Sequence, residues 1–212
     1  MTRKGVRRWA VLLTLIFVVA LVLALLVLAL YRPSERPADT GAGAAPANLP
    51  ASLAEGVTAR QAYPPAAEIA QSWQPDGQLA IVTAHWRPRQ GRWPTDVTWM
   101  FQFYSPDTRR LAVVVVDGGR ARLLREAVSP YPLPTFSTED WQLDSLAALG
   151  VWWNAGGGTF ASLYSEVDLT AQLRVLDGDG EGGRLAWAVT GITGGQVKRL
   201  VVDGTTGEQI ED

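Results

Sequence analysis

Twice along this chain, bulky apolar residues alternate with smaller or polar ones, the chain turns, and a second apolar run ends in Asp-Gly. In the later stretch Leu185, Trp187 and Val189 alternate, Gly194-Gly195 makes the turn, and Leu200-Val201-Val202 runs into Asp203-Gly204. In the earlier one Trp99, Phe101 and Phe103 alternate, Ser105-Pro106-Asp107 turns, and Leu111 to Val116 runs into Asp117-Gly118. A two-residue period puts one set of side chains on a single face of a strand. Both stretches therefore predict β-hairpins with one buried face.

Helical signals precede each hairpin. Ser52-Leu53-Ala54-Glu55 has capping-box spacing, and Pro64-Pro65 interrupts the run that follows. A second helix is expected from Pro65 to Trp73, with Ala66, Ile69, Ala70 and Trp73 at helical spacing, stopped by Pro75-Asp76-Gly77. Leu79 to Trp86 and Val97 to Tyr104 read as strands around a polar loop from Arg87 to Pro94, and Ala121 to Leu124 as a further strand. A Pro-rich joint, Ser129 to Pro134, marks a boundary. Beyond it Ser137 to Asp140 offers an N-cap and first-turn acids. That helix is expected to run to about Trp153 and to end at Asn154-Ala155-Gly156-Gly157-Gly158, with Phe160 to Leu176 as a long strand.

Ala10 to Leu30 is apolar apart from Thr14, and as a helix it would be about 31 Å long, close to the hydrocarbon thickness of a bilayer. Trp9 and Tyr31 stand at its ends, where amphipathic aromatics settle at headgroup level. Four basic residues precede it (Arg3, Lys4, Arg7, Arg8) and Arg32 follows, which keeps the amino end in the cytoplasm. The core is longer than a secretory h-region, and Leu28-Ala29-Leu30-Tyr31-Arg32 lacks a small-residue cleavage site, so the reading is an uncleaved signal-anchor. The organisation expected is a basic cytoplasmic tail at 1–8, a transmembrane anchor at 9–31, a Pro-, Gly- and Ala-rich flexible linker at 32–50, and folded segments at 51–128 and 129–212.

The two folded segments share an order: a helix ending in Trp73-Gln74 or Trp153-Asn154, a strand, then a hairpin that starts at Trp99 or Trp187. The last of these ends Val201-Val202-Asp203-Gly204-Thr205-Thr206-Gly207-Glu208. A helix, strands and V-V-D-G-x-x-G-E resemble the end of a PepSY domain, best over about 137–212 and less well over about 54–125, where Asp117-Gly118-Gly119 lacks the T-G-E. The resemblance implies small extracytoplasmic α+β units, found in protease propeptides and membrane-anchored proteins, that bind or restrain a peptidase without catalytic residues. The fold class expected is α+β: an N-terminal transmembrane helix, a linker, then two PepSY-like repeats, each one helix on an antiparallel sheet. One helix and about three strands make too small a core to be secure alone, so the two are expected to pack together.

Composition narrows the chemistry. The chain of 212 residues has no cysteine, which removes disulfides, thiolate metal sites and cysteine nucleophiles. A lone histidine, His85, cannot build a multi-histidine zinc site. Residues 33–212 hold 14 basic against 21 acidic side chains, a net −7, the wrong sign for a general nucleic-acid binder.

The remaining candidates are weak in pattern. Asp177, Asp179 and Glu181 occupy the first odd positions of a calcium loop, but position 12 is Ala188 instead of a bidentate Glu. His85 with Ser162 or Ser165 would need a triad, and no G-x-S-x-G occurs. Asn154 to Thr159 lacks the G-K-[ST] end of a phosphate loop. Asp140 and Asp144, one helical turn apart, could pair as acid and base, but such residues at a helix start usually face solvent. Asp117 and Asp203 fit turn-stabilising acids, accepting from nearby N–H groups while glycines take positive φ.

Nine tryptophans are many for a chain of this size. Trp99 and Trp187 are expected in equivalent buried places in the two repeats, while Trp86, Trp93, Trp141 and Trp152 could line a partner groove. No catalytic residue, metal ligand or cofactor is assigned. The expected function is a membrane-anchored, extracytoplasmic, non-catalytic module binding a peptide, a peptidase or another envelope protein, most naturally at a strand edge or a Trp-bearing patch. The alternatives are an envelope hydrolase using carboxylates and a structural subunit of a membrane complex.

Overall fold

The computed structural model describes residues 48–164, 166–176 and 183–210. The tail, the anchor and the linker up to residue 47 lie outside these, as do Ser165, Asp177, Asp179 and Glu181. Among the described residues no helix is long and apolar enough to cross a membrane.

In chain order the elements are α1 (Ala51–Ala54), α2 (Ala59–Trp73), β1 (Gln78–Trp86), β2 (Trp99–Ser105), β3 (Arg110–Asp117) and β4 (Arg120–Val128). There follow α3 (Ser145–Trp152), a kinked turn (Trp153–Gly157), α4 (Gly158–Leu163), β5 (Asp168–Leu176), β6 (Arg184–Thr193), β7 (Gln196–Asp203) and β8 (Gln209–Ile210). Both expected hairpins form, Trp99 opposite Val116 in one and Trp187 opposite Val202 in the other.

The two separate helix-on-sheet repeats do not form. All eight strands join one antiparallel sheet in the order β4-β3-β2-β1-β5-β6-β7-β8, continuous through the pairing of β1 with β5. There Val82 lies opposite Leu173 and Ala84 opposite Ala171, all four fully buried. A half with one helix buries too little apolar surface, and fusing the sheets along this seam gives one larger core. Trp99 and Trp187 are both buried, but in that single core and against each other, with ring centroids 6.5 Å apart. The ring contacts run on from Trp86 to Trp99, Trp187, Trp141 and Tyr63, each neighbouring pair within 5.8–6.5 Å. Each aromatic buries roughly 150–250 Å², so this chain of rings dominates the apolar contribution.

Among the described residues α2 packs against β2, β3 and β4, and α3 against β6 and β7, on the sheet face that carries Phe101, Val114, Trp187 and Val202. Their amino ends share acceptors. Ser145 Oγ accepts from the Ala59 N–H at 3.1 Å, and Asp144 Oδ1 accepts from the Arg60 and Ser145 N–H groups at 3.2 and 2.6 Å. Orphan donors at the start of both helices are thereby satisfied from one place.

Three helix expectations change. α2 starts at Ala59, not Pro65, because a Thr58–Gln61 capping box fixes its start, and Pro64 and Pro65 lie inside it. Ser52 is interior to α1, whose N-cap is Pro50 with no side-chain bond. α3 starts at Ser145, not near Ser137, with Asp144 as N-cap; it breaks at the expected place, where Ala155 and Gly156 leave helical geometry, but the short helix α4 follows to Leu163, so β5 begins only at Asp168. The indole of Trp152 packs over Gly191 of β6, where an added Cβ would stand 2.8 Å from the ring. That contact anchors α3 to the sheet.

Candidate binding surfaces

The outer edge of the sheet at β4 is the most open part of the described fold. β4 is nine residues long, is last in the strand order and pairs with β3 alone. Every residue in it is exposed except half-buried Ala121. Leu123, Leu124 and Val128 are 38%, 47% and 74% exposed, and Tyr131 just beyond is 74% exposed. The strand's outward N–H and C=O groups have no ladder partner among the described residues.

The register also sorts its charges. Arg120, Arg122 and Arg125 stand opposite Asp117, Val115 and Val113, with a bulge between Val113 and Val114. Val114 and Val116 belong to the core, so the three arginines line the face of the sheet away from the helices. At the other end of the sheet β8 has only two residues and offers little edge of its own.

A groove of about 730 Å³ opens at one end of that helix-free face, between the sheet and residues 87–98, with Trp93 in its wall. A second hollow of about 620 Å³ lies around Arg87, Asp168 and Tyr164. Arg87 makes a bidentate pair with Asp168, both contacts at 2.6 Å, and His85 Nε2 is 3.9 Å from the same carboxylate. The Arg87 hydrogen bonds hold the Asp168 carboxyl below its ordinary pKa, against partial burial that pushes it up. His85 Nδ1 meets Thr170 Oγ1 at 3.1 Å.

The expected candidates fall as follows. Ser162 donates to the Thr159 carbonyl and is not brought to His85, whose polar neighbours are Thr170 and Asp168. Ser165 and the acidic loop of Asp177, Asp179 and Glu181 lie outside the described residues. Asp140 and Asp144 do not share a helix: Asp140 accepts from Ser137 Oγ in a turn, while buried Asp144 caps α3. Trp86, Trp141 and Trp152 are core residues, at most 3% exposed, whereas Trp93, the fourth candidate, is half-buried and lines the 730 Å³ groove. Asn154 to Gly158 holds the kink at which α3 ends, as expected, with Ala155 and Gly156 outside helical geometry and Gly156 at φ +96°.

Asp203 behaves as its turn motif predicts. Its Oδ1 accepts from Thr205 and Thr206 N–H groups at 2.8 and 2.7 Å, and Arg184 binds its other oxygen. Burial alone would raise its pKa, but the Thr206 and Thr205 N–H groups together with Arg184 outweigh that and hold it below the ordinary value. Asp117 opens the tight turn at Gly118-Gly119 and is exposed.

Sequence reasoning missed two features. Arg89 and Arg92, assigned to a polar loop, form a miniature hairpin, and the signal was Gln90-Gly91 between them. The run Arg120, Arg122, Arg125 was a charge pattern of the kind that marks an edge strand.

No family model matches the chain, and no curated protein matches it. Among solved structures it is similar to the crystal structure of a candidate lipoprotein from Clostridium difficile 630, at 11% identity and a TM-score of 0.49, over 73% of this chain and 91% of that one.

Proposed function

We propose that this protein is a membrane-anchored, extracytoplasmic binding module that takes an extended segment of an envelope protein or peptide as a ninth strand on the outer edge of β4, without catalysing a reaction on it. The observation that carries the reading is the β4 edge itself: nine residues, bonded on one side only, with exposed Leu123, Leu124 and Val128 along it. Backbone groups on such an edge supply affinity to any extended chain, and side chains on alternate faces select among them. The arginine row favours a partner strand with acidic residues on the helix-free side. The apolar run Ala10–Leu30 with its basic flank supports the anchor and the orientation.

An array of immobilised random peptides, probed with the detergent-solubilised full chain, tests the reading. The expected result is retention on extended acidic-apolar peptides, lost in Arg122→Glu/Arg125→Glu protein that keeps its native near-ultraviolet spectrum. Retention unchanged by that double substitution, or no retention on any peptide, contradicts it.

A further inference from the structure

We infer that the groove beside residues 87–96 is an oxyanion-binding site, clasped by Arg89 and Arg92, for an anionic carbohydrate: a sugar carrying a phosphate or a carboxylate. The Arg89 N–H donates to the Arg92 carbonyl at 2.8 Å and the Arg92 N–H donates back at 3.0 Å. The two residues between them, Gln90 and Gly91, have φ of 53° and 72°, the pattern of a two-residue type I′ turn. Glycine suits its position; Gln90 adopts the left-handed region at a cost that the turn must offset.

Opposed residues of such a hydrogen-bonded pair have Cα atoms about 5.5 Å apart and side chains on the same face. The turn therefore starts both arginine side chains from one face, and both residues line the groove. Like charges directly opposite one another are destabilising, and an anion between them removes that cost. Among the described residues no carboxylate does so. The ion pairs within 4 Å join His85 and Arg87 to Asp168, Arg110 to Glu126 and Arg184 to Asp203, and none reaches Arg89 or Arg92 among the described residues. Planar guanidinium forks grip phosphate and carboxylate groups bidentately, so the pair matches either.

The rest of the wall decides between a bare anion and a sugar. Asp96 and Asp117 also line the groove and would repel a polyanion, but they accept hydrogen bonds from hydroxyl groups. Trp93, half-buried beside them, offers an apolar plate for a ring face. An oxyanion for the arginines, hydroxyls for the two aspartates and an apolar ring face for the tryptophan describe an anionic sugar. The inference does not rest on the β4 reading.

The test uses full-length protein in detergent and four probes: inorganic phosphate, a hexose phosphate, a hexuronate and the neutral hexose. Calorimetry should show the hexose phosphate or the hexuronate binding at least tenfold more tightly than either inorganic phosphate or the neutral hexose, and which of the two wins identifies the oxyanion. Arg89→Gln/Arg92→Gln should weaken the preferred probe at least tenfold, while Arg109→Gln, in the turn between β2 and β3, should leave it unchanged. In wild-type protein the same probe should shield Arg89 and Arg92, but not Arg109, from phenylglyoxal modification read by peptide mass. Equal binding of all four probes, no binding of any, or binding without shielding of Arg89 and Arg92 overturns the inference.

Discussion

Trp141 and Trp187 donate their indole N–H groups to one acceptor, the carbonyl oxygen of Leu143, at 2.9 and 2.8 Å. Their rings meet edge to face with centroids 6.3 Å apart. Leu143 immediately precedes the cap of α3, so two core tryptophans fix the point at which that helix leaves the chain. Trp187→Ala should cost about 3–5 kcal/mol of unfolding free energy, the usual range for a core aromatic. Trp187→Phe, which loses the donor and less volume, should cost about 1–3 kcal/mol. Urea titrations of the two variants check this; an alanine variant within about 1 kcal/mol of wild type would show that the ring is not part of the core.

Asp144 satisfies N–H donors of two helices at once, so its loss should exceed an ordinary cap deletion. Asp144→Ala should destabilise by about 2–4 kcal/mol, against about 0.5–2 for a single cap. Asp144→Asn keeps an acceptor oxygen and should recover more than half of that loss. Equal losses for the two variants would mean that the hydrogen bonds to Arg60 and Ser145 contribute nothing.

Acid should find the Asp203 turn early. Its carboxyl titrates below the ordinary value of about 3.9, so folding favours the ionised form. The stabilisation is complete above the ordinary pKa and is lost as pH falls through the lower folded value. Urea midpoints of wild-type protein should therefore drop between about pH 5 and pH 2, and Asp203→Asn should show a shallower drop. Parallel acid limbs for the two proteins would contradict the assignment. The same sign applies to Asp168, whose exposure makes its share smaller.

Gly191 sits beneath the Trp152 indole with no room for a methyl group. Gly191→Ala should cost about 1–3 kcal/mol by overpacking. Trp152→Phe in the same chain should relieve part of it, so the double variant should be more stable than the sum of the singles. Strict additivity would contradict the contact.

The hairpins were legible because alternation at Trp99, Phe101, Phe103 and at Leu185, Trp187, Val189 is a local property of one buried face. The Asp203 turn was legible for the same reason. The helices after Ser137 were not, because two good caps compete: Ser137 closes a turn with Asp140, while Asp144 takes the helix. The glycines do stop α3, at the kink in Ala155 and Gly156, yet α4 restarts at once from Gly158, with the rings of Trp152 and Trp153 lying against Gly157 and Gly158. Joining of the sheets is set by β1 meeting β5 across more than eighty residues of chain, and no local pattern encodes that register. The arginine groove was hidden likewise, since its lining comes from β1, β2, the end of β3 and the loop between β1 and β2.

Strand addition at β4 is read most directly from backbone amide exchange in the full chain, with and without an acidic-apolar peptide retained on the array. The account predicts slowed exchange at alternate amides of Arg120–Val128, those pointing away from β3, with β3 itself unchanged. Peptide-bound protein whose β4 amides exchange as fast as in the free chain would contradict it.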